Sequence, residues 1–394
     1  MDIYNQNFYD LLGGALGRAD SSSLQAFIDA TLRDKYDRLD LSGFEWDPDM
    51  QIDFTYEQVQ QTLGITPMAN YYDVDSPAKP FAGEGFSIAT GKIPRMKNVA
   101  YFNEDKLRKQ LIFDRLNVGN ARDVVENRRL KLFTTVDNLF QAHANSLTYQ
   151  RDQMISKGMV EITTANNPYG ISGVTLYANV SDGNKTTLTG AARWWTAAGY
   201  ATEGANANPI LDLKEWVRGI RLSGAPAGHI EVNWAFFQRI LSHSAVRAML
   251  ADVFFPLAGN STVAANAVAA KPDSEIEAAF SRIIGSPVRT VDHKVAVEKY
   301  DATTRALTAD PFDSFEPDVL VWVPDGTIGT VKSVMPLTVP DPAAAYGRFI
   351  NGKGLLTVTY DASKKCQAYE TELTALAVPT APQRMYYFYP CVIA

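Results

Sequence analysis

From Asn120 to Lys157 the chain runs without a glycine or a proline, with Gly119 before it and Gly158 after it. Asn120 suits an N-cap, Asp123 places a carboxylate at the positive end of a helix, and Gly158 stands where a left-handed C-terminal cap belongs. The spacing predicts one helix over 120–157, roughly 55 Å long at about 1.5 Å per residue, far beyond the usual helix of a globular domain. Val125, Leu132, Val136, Leu139, Phe140, His143, Leu147 and Met154 trace an apolar stripe, with Arg128, Arg129, Lys131, Asp137, Asn145 and Arg151 largely off it. One face is therefore buried. No second stretch of comparable length supplies a coiled-coil partner, so the helix is expected to lie across a sheet.

The 394 residues are 46% hydrophobic, enough for substantial cores in two or three domains. A net charge of -7 argues against gripping nucleic acid through a basic surface. It is compatible with enclosing a polyanion, because a mildly acidic wall does not stick to one. Cys366 and Cys391 are too few for a disulfide framework or a zinc cluster, and MDIYNQNFYD has neither the basic nor the apolar region of a secretory signal. Synthesis in a reducing cytoplasm follows as an expectation, and the Asn-x-Ser/Thr triplets at Asn179, Asn184 and Asn260 read as loop sequence. No apolar run has the length of a membrane span.

Along the chain, 1–64 mixes a short amphipathic helix (Ser23 to Tyr36) with polar turns such as Asp47-Pro48-Asp49, and reads as an arm that packs on something else. In 65–102, extended stretches at Tyr71–Phe81 and Phe86–Tyr101 flank the turn Ala82-Gly83-Glu84-Gly85. Pro67, Pro77, Pro80 and Pro94 bar a central strand, so this segment reads as a projecting two-stranded ribbon. After the long helix come strands at Met159–Thr163 and Val174–Val180, then a loop with Trp194 and Trp195. Helices are predicted at Pro209–Leu222 (Leu211, Trp216, Val217 and Ile220 inward), Trp234–Leu250 (Phe237, Ile240, Leu241 and Met249 inward) and Asp273–Ile284. Beyond Val288 the pattern is β-rich: Val319–Val323, Leu355–Tyr360, Thr371–Val378 and Arg384–Ile393.

Catalytic and ligand motifs are sparse. The histidines His143, His229, His243 and His293 form no metal-binding pair, and each reads as structural; His143, inside the apolar stripe, reads as a hydrogen-bonded core imidazole. Gly13-Gly14-Ala15-Leu16-Gly17-Arg18 lacks the Lys-Ser/Thr ending of a phosphate loop. Asp310, Asp313, Glu316 and Asp318 do not have calcium-loop spacing and read as a solvated acidic loop. No nucleophile elbow is present. The expectation is a protein without catalytic residues, cofactor or metal.

Several stretches resemble one family. GKIPRMKNVAYFNE, then EDKLRKQLIFDRL leading into the long helix and QRDQMISKGMVEIT leading out of it, resemble the descending half of an extended loop, a connector and a spine helix of tailed-phage major capsid proteins. NPILDLKEWVRGIRLSGAPAGHIEVNWAFFQRILSHSAVRAML and VWVPDGTIGTV resemble the same proteins further on, within the phage lambda capsid protein E-like group of the Hong Kong 97 fold. The resemblance implies an α+β fold divided as an N-terminal arm (1–64), an extended loop (65–103), a peripheral domain with the spine helix 120–157 (104–224), an axial domain (225–345) and C-terminal strands returning to the peripheral domain (346–394). It implies a major capsid protein that self-assembles into hexamers and pentamers, forming an icosahedral head around double-stranded DNA held without sequence-specific binding. Portal and scaffolding proteins are the implied partners, with a decoration protein as a further one, and the implied location is the virion capsid. Unlike some relatives, the first 64 residues show no heptad-patterned scaffolding segment, so scaffolding is expected as a separate protein. An encapsulin-type nanocompartment shell is the alternative within the same fold; the long loops around 181–209 and 258–272 favour the phage. Arg95 and Lys97, near the descending strand, are the candidates for contact with a neighbour's carboxylates, and Lys79, Lys92 and Lys97 otherwise read as solvated.

Overall fold

The computed structural model describes residues 36, 39, 41–61, 86–102, 108, 112, 121–168, 170–178, 180–256, 266–301, 306–335, 348–351, 353–361 and 366–391. The long helix α1 runs Ala121–Ser156, about 54 Å, and ends where Gly158 adopts φ +72°, the left-handed cap the sequence anticipates. It lies across a six-stranded sheet built on the long strand β16 (Cys366–Pro379). β15 (Gly354–Asp361) and β4 (Arg95–Phe102) pair with the first part of β16, and β13 (Gly329–Ser333) with the second. β14 (Arg348–Asn351) and β1 (Phe44–Trp46) complete the sheet. Val136, Phe140, Leu147, Met154 and Ile155 of α1 bury against Leu356, Tyr369 and Leu373. Val136, Phe140, Leu147 and Met154 recur at spacings of four and seven, so one face of an amphipathic helix meets one face of a pleated sheet.

A second, five-stranded sheet has the order β7 (Lys185–Thr187), β17 (Tyr386–Tyr389), β12 (Leu320–Pro324), β8 (Gly228–Asn233), β9 (Val288–Val291). Its central strand β12 is buried on both faces, as its apolar run LVWVP requires. Leu320 and Trp322 face a helical layer with Ile230, Val232 and Phe388, whereas Val321 and Val323 turn to the core that contains α1. The helical layer consists of α2 (Pro209–Leu222), α3 (Trp234–Ser242), α4 (Ser244–Phe254) and α5 (Asp273–Ile284). Two small ribbons stand apart from these sheets: β2 (Thr55–Gln61) with β3 (Phe86–Lys92), and β10 (Lys294–Asp301) with β11 (Ala306–Asp313). β5 (Met159–Ile162) and β6 (Val174–Tyr177) form a short pair after α1.

The structure corrects several sequence expectations. Arg151, placed off the stripe, is 1% exposed, because the last turns of α1 are enclosed on all sides where the helix passes between the two sheets. Leu139 is only partly buried and Leu211 is 48% exposed. The helix expected over 234–250 is two helices. His243 leaves the helical region at ψ 135°, and its Nδ1 accepts the Ala245 N–H as the N-cap of α4 while its ring packs edge-on against Trp195. Trp194 and Trp195, expected on a loop, are core: Trp194 is fully buried and its Nε1 donates to Asp212 at 2.7 Å. The acidic group is not simply solvated, since Asp313 accepts from Asn233 at 3.2 Å and Asp318 from the Tyr200 hydroxyl.

The arm, expected to pack elsewhere, contributes Tyr36, Leu41 and Phe44 to the chain's own core, and β1 runs parallel to β13 at the sheet edge. The expected helix at 23–36, apart from Tyr36, lies outside the described residues, as do Val125 and Leu132 side chains and the loop tip. Sheet membership also crosses the domain limits drawn from sequence. β13, within 225–345, joins the sheet of β16, while β7, β17 and α2 join the assembly of β12 and β8.

His143 behaves as expected for a core imidazole: fully buried, it lies 3.2 Å from the Tyr36 hydroxyl, and burial pushes its pKa down to about 4. A lowered histidine pKa gives stability that is present above the unfolded value near 6.5 and lost as pH falls toward 4. A His143→Gln variant should therefore melt with a shallower loss of Tm between pH 6.5 and 4 than the parent, measured by thermal denaturation at a series of pH values.

Candidate functional site

Thr55–Gln61 and Phe86–Lys92 pair over seven positions, from Thr55 opposite Lys92 to Gln61 opposite Phe86, and among the described residues neither pairs with another strand. The sequence placed the partner of 86–101 at 71–81, a segment outside the described residues; within them the proline-free run TYEQVQQ pairs with 86–92. At its root the Ile93 N–H donates to the Phe54 carbonyl at 2.7 Å, and Ile93 and Tyr56 are each 3% exposed. Pro94 then ends the ribbon, and the same polypeptide re-enters the main sheet as β4. A ribbon of two strands is marginal alone, so its conformation depends on this rigid base.

Strand alternation puts Arg95, Lys97, Val99 and Tyr101 on the face of β4 that turns away from α1. The register sets Lys97 beside Glu372 and Val99 beside Glu370. Lys97 Nζ is 2.7 Å from Glu370 and 3.6 Å from Glu372, and Arg95 pairs with Glu372, whose carboxylate is only 8% exposed. Arg95 and Lys97 thus have carboxylate partners within the chain itself. Both cations remain about two-fifths exposed, at 41% and 43%. Sequence reasoning missed Glu370 and Glu372 because a cross-strand pair is set by register between segments some 270 residues apart. Around the ribbon's base, Met50, Ile52, Phe54 and Met335 are exposed apolar side chains, drawn together by the hydrogen bond from Met335 N–H to the Gln51 carbonyl. An apolar group of this kind at the foot of a projecting ribbon is suited to contact with another protein surface.

A second constellation, also missed, lies inside. Arg151 and Asp152 on α1 meet Glu231 on β8: Arg151 is 2.8 Å from Asp152 and 2.6 Å from Glu231, with all three side chains at most 1% exposed. His293, in the turn before β10, reaches Asp152 at 3.0 Å, and the Ser314 hydroxyl donates to the same carboxylate. His229 lies between Glu231, at 3.3 Å, and Asp325, at 3.2 Å. Burial alone would raise the Glu231 carboxyl, but Arg151 and His229 outweigh it and hold it below the ordinary range. Hydrogen bonds to their carboxylates raise the pKa of His293 and of His229. This arrangement ties helix to sheet, and among the described residues no group of three or more His, Cys, Asp or Glu is placed to hold a metal ion.

The sequence matches a known family over most of its length: the model described as phage major capsid protein E matches residues 30–341. The chain belongs to that family. It is a phage major capsid protein, a structural component of the virion capsid, and nothing favours the encapsulin alternative. No curated protein matches the sequence significantly. Among solved structures, a phage-related protein from Bordetella bronchiseptica RB50 is 12% identical, with 93% of this chain and 96% of that one covered and a TM-score of 0.44. The satellite phage P4 procapsid, which includes size determination (Sid) protein, gives 9% identity, 93% and 99% coverage and a TM-score of 0.45. The capsid of cyanophage P-SCSP1u gives 9%, 90% and 88%, and 0.45. No helix among the described residues is long and apolar enough to cross a membrane.

Proposed function

We propose that this major capsid protein tiles into hexamers and pentamers of an icosahedral head that encloses double-stranded DNA of a tailed phage, with no catalytic role. The observation that carries this reading is the β2–β3 ribbon, hydrogen-bonded only to itself among the described residues yet rooted in the main sheet through β4. Such a ribbon is marginal alone and needs a partner surface, which in this reading a neighbouring chain supplies. In this reading the helix α1 and the six-stranded sheet form the peripheral domain, and the five-stranded sheet with α2–α5 the axial domain. Arg95 and Lys97 brace the ribbon's base through Glu370 and Glu372, and their exposed halves face a neighbour's carboxylates. The net charge of -7 suits a wall that encloses DNA without binding its sequence. Portal and separate scaffolding proteins, with a decoration protein outside, are the partners, and synthesis takes place in the host cytoplasm.

Deletion of Pro80–Ser87 tests the assignment. The variant subunit should keep the parent's circular dichroism and melting temperature but form no particles by light scattering or electron microscopy under conditions where the parent does. Normal assembly of the deletion variant, or a parent that stays monomeric throughout, would remove the basis for the proposal; unfolding of the isolated variant would place the ribbon in a core instead.

A further inference from the structure

The charge count at the inner end of α1 is uneven. Arg151 is the one buried cation of the cluster, facing two buried carboxylates, Asp152 from its own helix and Glu231 from β8. Ionised carboxylates held away from water need compensation. The remaining positive charge is available from two histidines at the rim, His293 on Asp152 and His229 on Glu231, the former 42% and the latter 20% exposed and so open to protons from solvent. Asp325 faces His229 from the turn after β12, and Asp313, at the end of β11, stands near Asn233 at the end of β8. Asp292 and Lys294 flank His293 on its own turn. Arg151 Nε and the second oxygen of Glu231 have no hydrogen-bond partner in the protein, so the cluster retains hydrogen-bonding capacity for a second arrangement.

The cluster lies where three elements meet. Arg151 and Asp152 are in the last turns of α1, and Arg151 also reaches the Ser42 carbonyl beside β1 at 3.4 Å. Glu231 is in the five-stranded sheet, and His293 and Ser314 bracket the β10–β11 ribbon, with the Ser314 N–H donating to the His293 carbonyl at 2.9 Å. We propose that Arg151, Asp152, Glu231, His229 and His293 form a proton-operated joint that fixes the end of the long helix to the five-stranded sheet and to the root of the β10–β11 ribbon when the histidines are charged, and loosens when they are neutral. Both histidines are raised from the ordinary value of 6.5, so the stabilisation is complete below about pH 6.5 and is lost as pH rises through their folded-state values. His143 titrates in the opposite sense and lower, which leaves the range above 6.5 to the joint.

Hydrogen exchange of the full-length subunit provides the test. Backbone amides of 147–156, corrected for intrinsic rate, should lose about tenfold protection between pH 6 and pH 8. The His229→Gln/His293→Gln double variant keeps hydrogen-bonding side chains without the charge, and should show low protection with no pH dependence in that window. His293→Lys, charged throughout, should retain much of the pH 6 protection at pH 8. Equal pH slopes in the parent and the double variant, or loss of protection in His293→Lys to the level of the double variant, would overturn the proposal.

Discussion

Replacing Arg151 by leucine is expected to cost about 3–5 kcal/mol, the range for removing one partner of a buried ion pair. The loss arises less from missing attraction than from what remains: the Glu231 and Asp152 carboxyl groups would stay in the interior with no buried cation between them. Urea denaturation of the isolated subunit should show the midpoint falling steeply or the protein failing to accumulate in soluble form. The mechanism makes a second, sharper statement. Arg151→Leu combined with Glu231→Leu removes cation and anion together, leaves Asp152 to Ser314 and His293, and should be more stable than the sum of the two single changes predicts. Simple additivity would mean that Arg151 acts through packing of its stem and not through charge.

The second large effect is expected at Phe140. Its ring is fully buried between Tyr36, 6.2 Å away and edge-on, and His143, at 6.5 Å, and truncation to alanine should cost about 3–5 kcal/mol through lost transfer energy and a cavity that the surrounding sheet cannot close. The comparison that locates the buried face is Leu147→Asp against Leu139→Asp. Leu147 is 0% exposed, so a carboxylate there is unpaired and buried and should prevent folding, whereas partly buried Leu139 can turn a charge to water at far smaller cost. Similar losses at the two positions, read from soluble yield and melting temperature, would mean that the face is wider than the structure places it.

The long helix was legible because its signals are local. Absence of glycine and proline over 120–157, the stripe, and Gly158 at its end act within a few residues of one another, and helix propagation needs nothing more distant. The same holds for Pro209–Leu222 and Asp273–Ile284, found within the bounds the sequence set. The break at His243 was hidden, because leucine and alanine spacing carries the pattern straight through a cap that Trp195 and Glu203 help to fix from other segments.

What the residues determined alone was therefore the inventory: one very long one-sided helix, a hairpin ribbon before it, a helical middle, a β-rich end, and no catalytic pattern. What tertiary structure decided was pairing and burial of charge. Thr55–Gln61 became the ribbon's partner, Glu370 and Glu372 came opposite Arg95 and Lys97, and Arg151 moved from an expected surface to the interior. Strand register and the site of a buried ion pair depend on contacts between segments scores or hundreds of residues apart, and a sequence window reports only on its own neighbourhood. Arg151 shows the reason most directly: on an isolated helix its charge belongs in water, and only the carboxylate that β8 brings from 80 residues away makes the interior its lower-energy place.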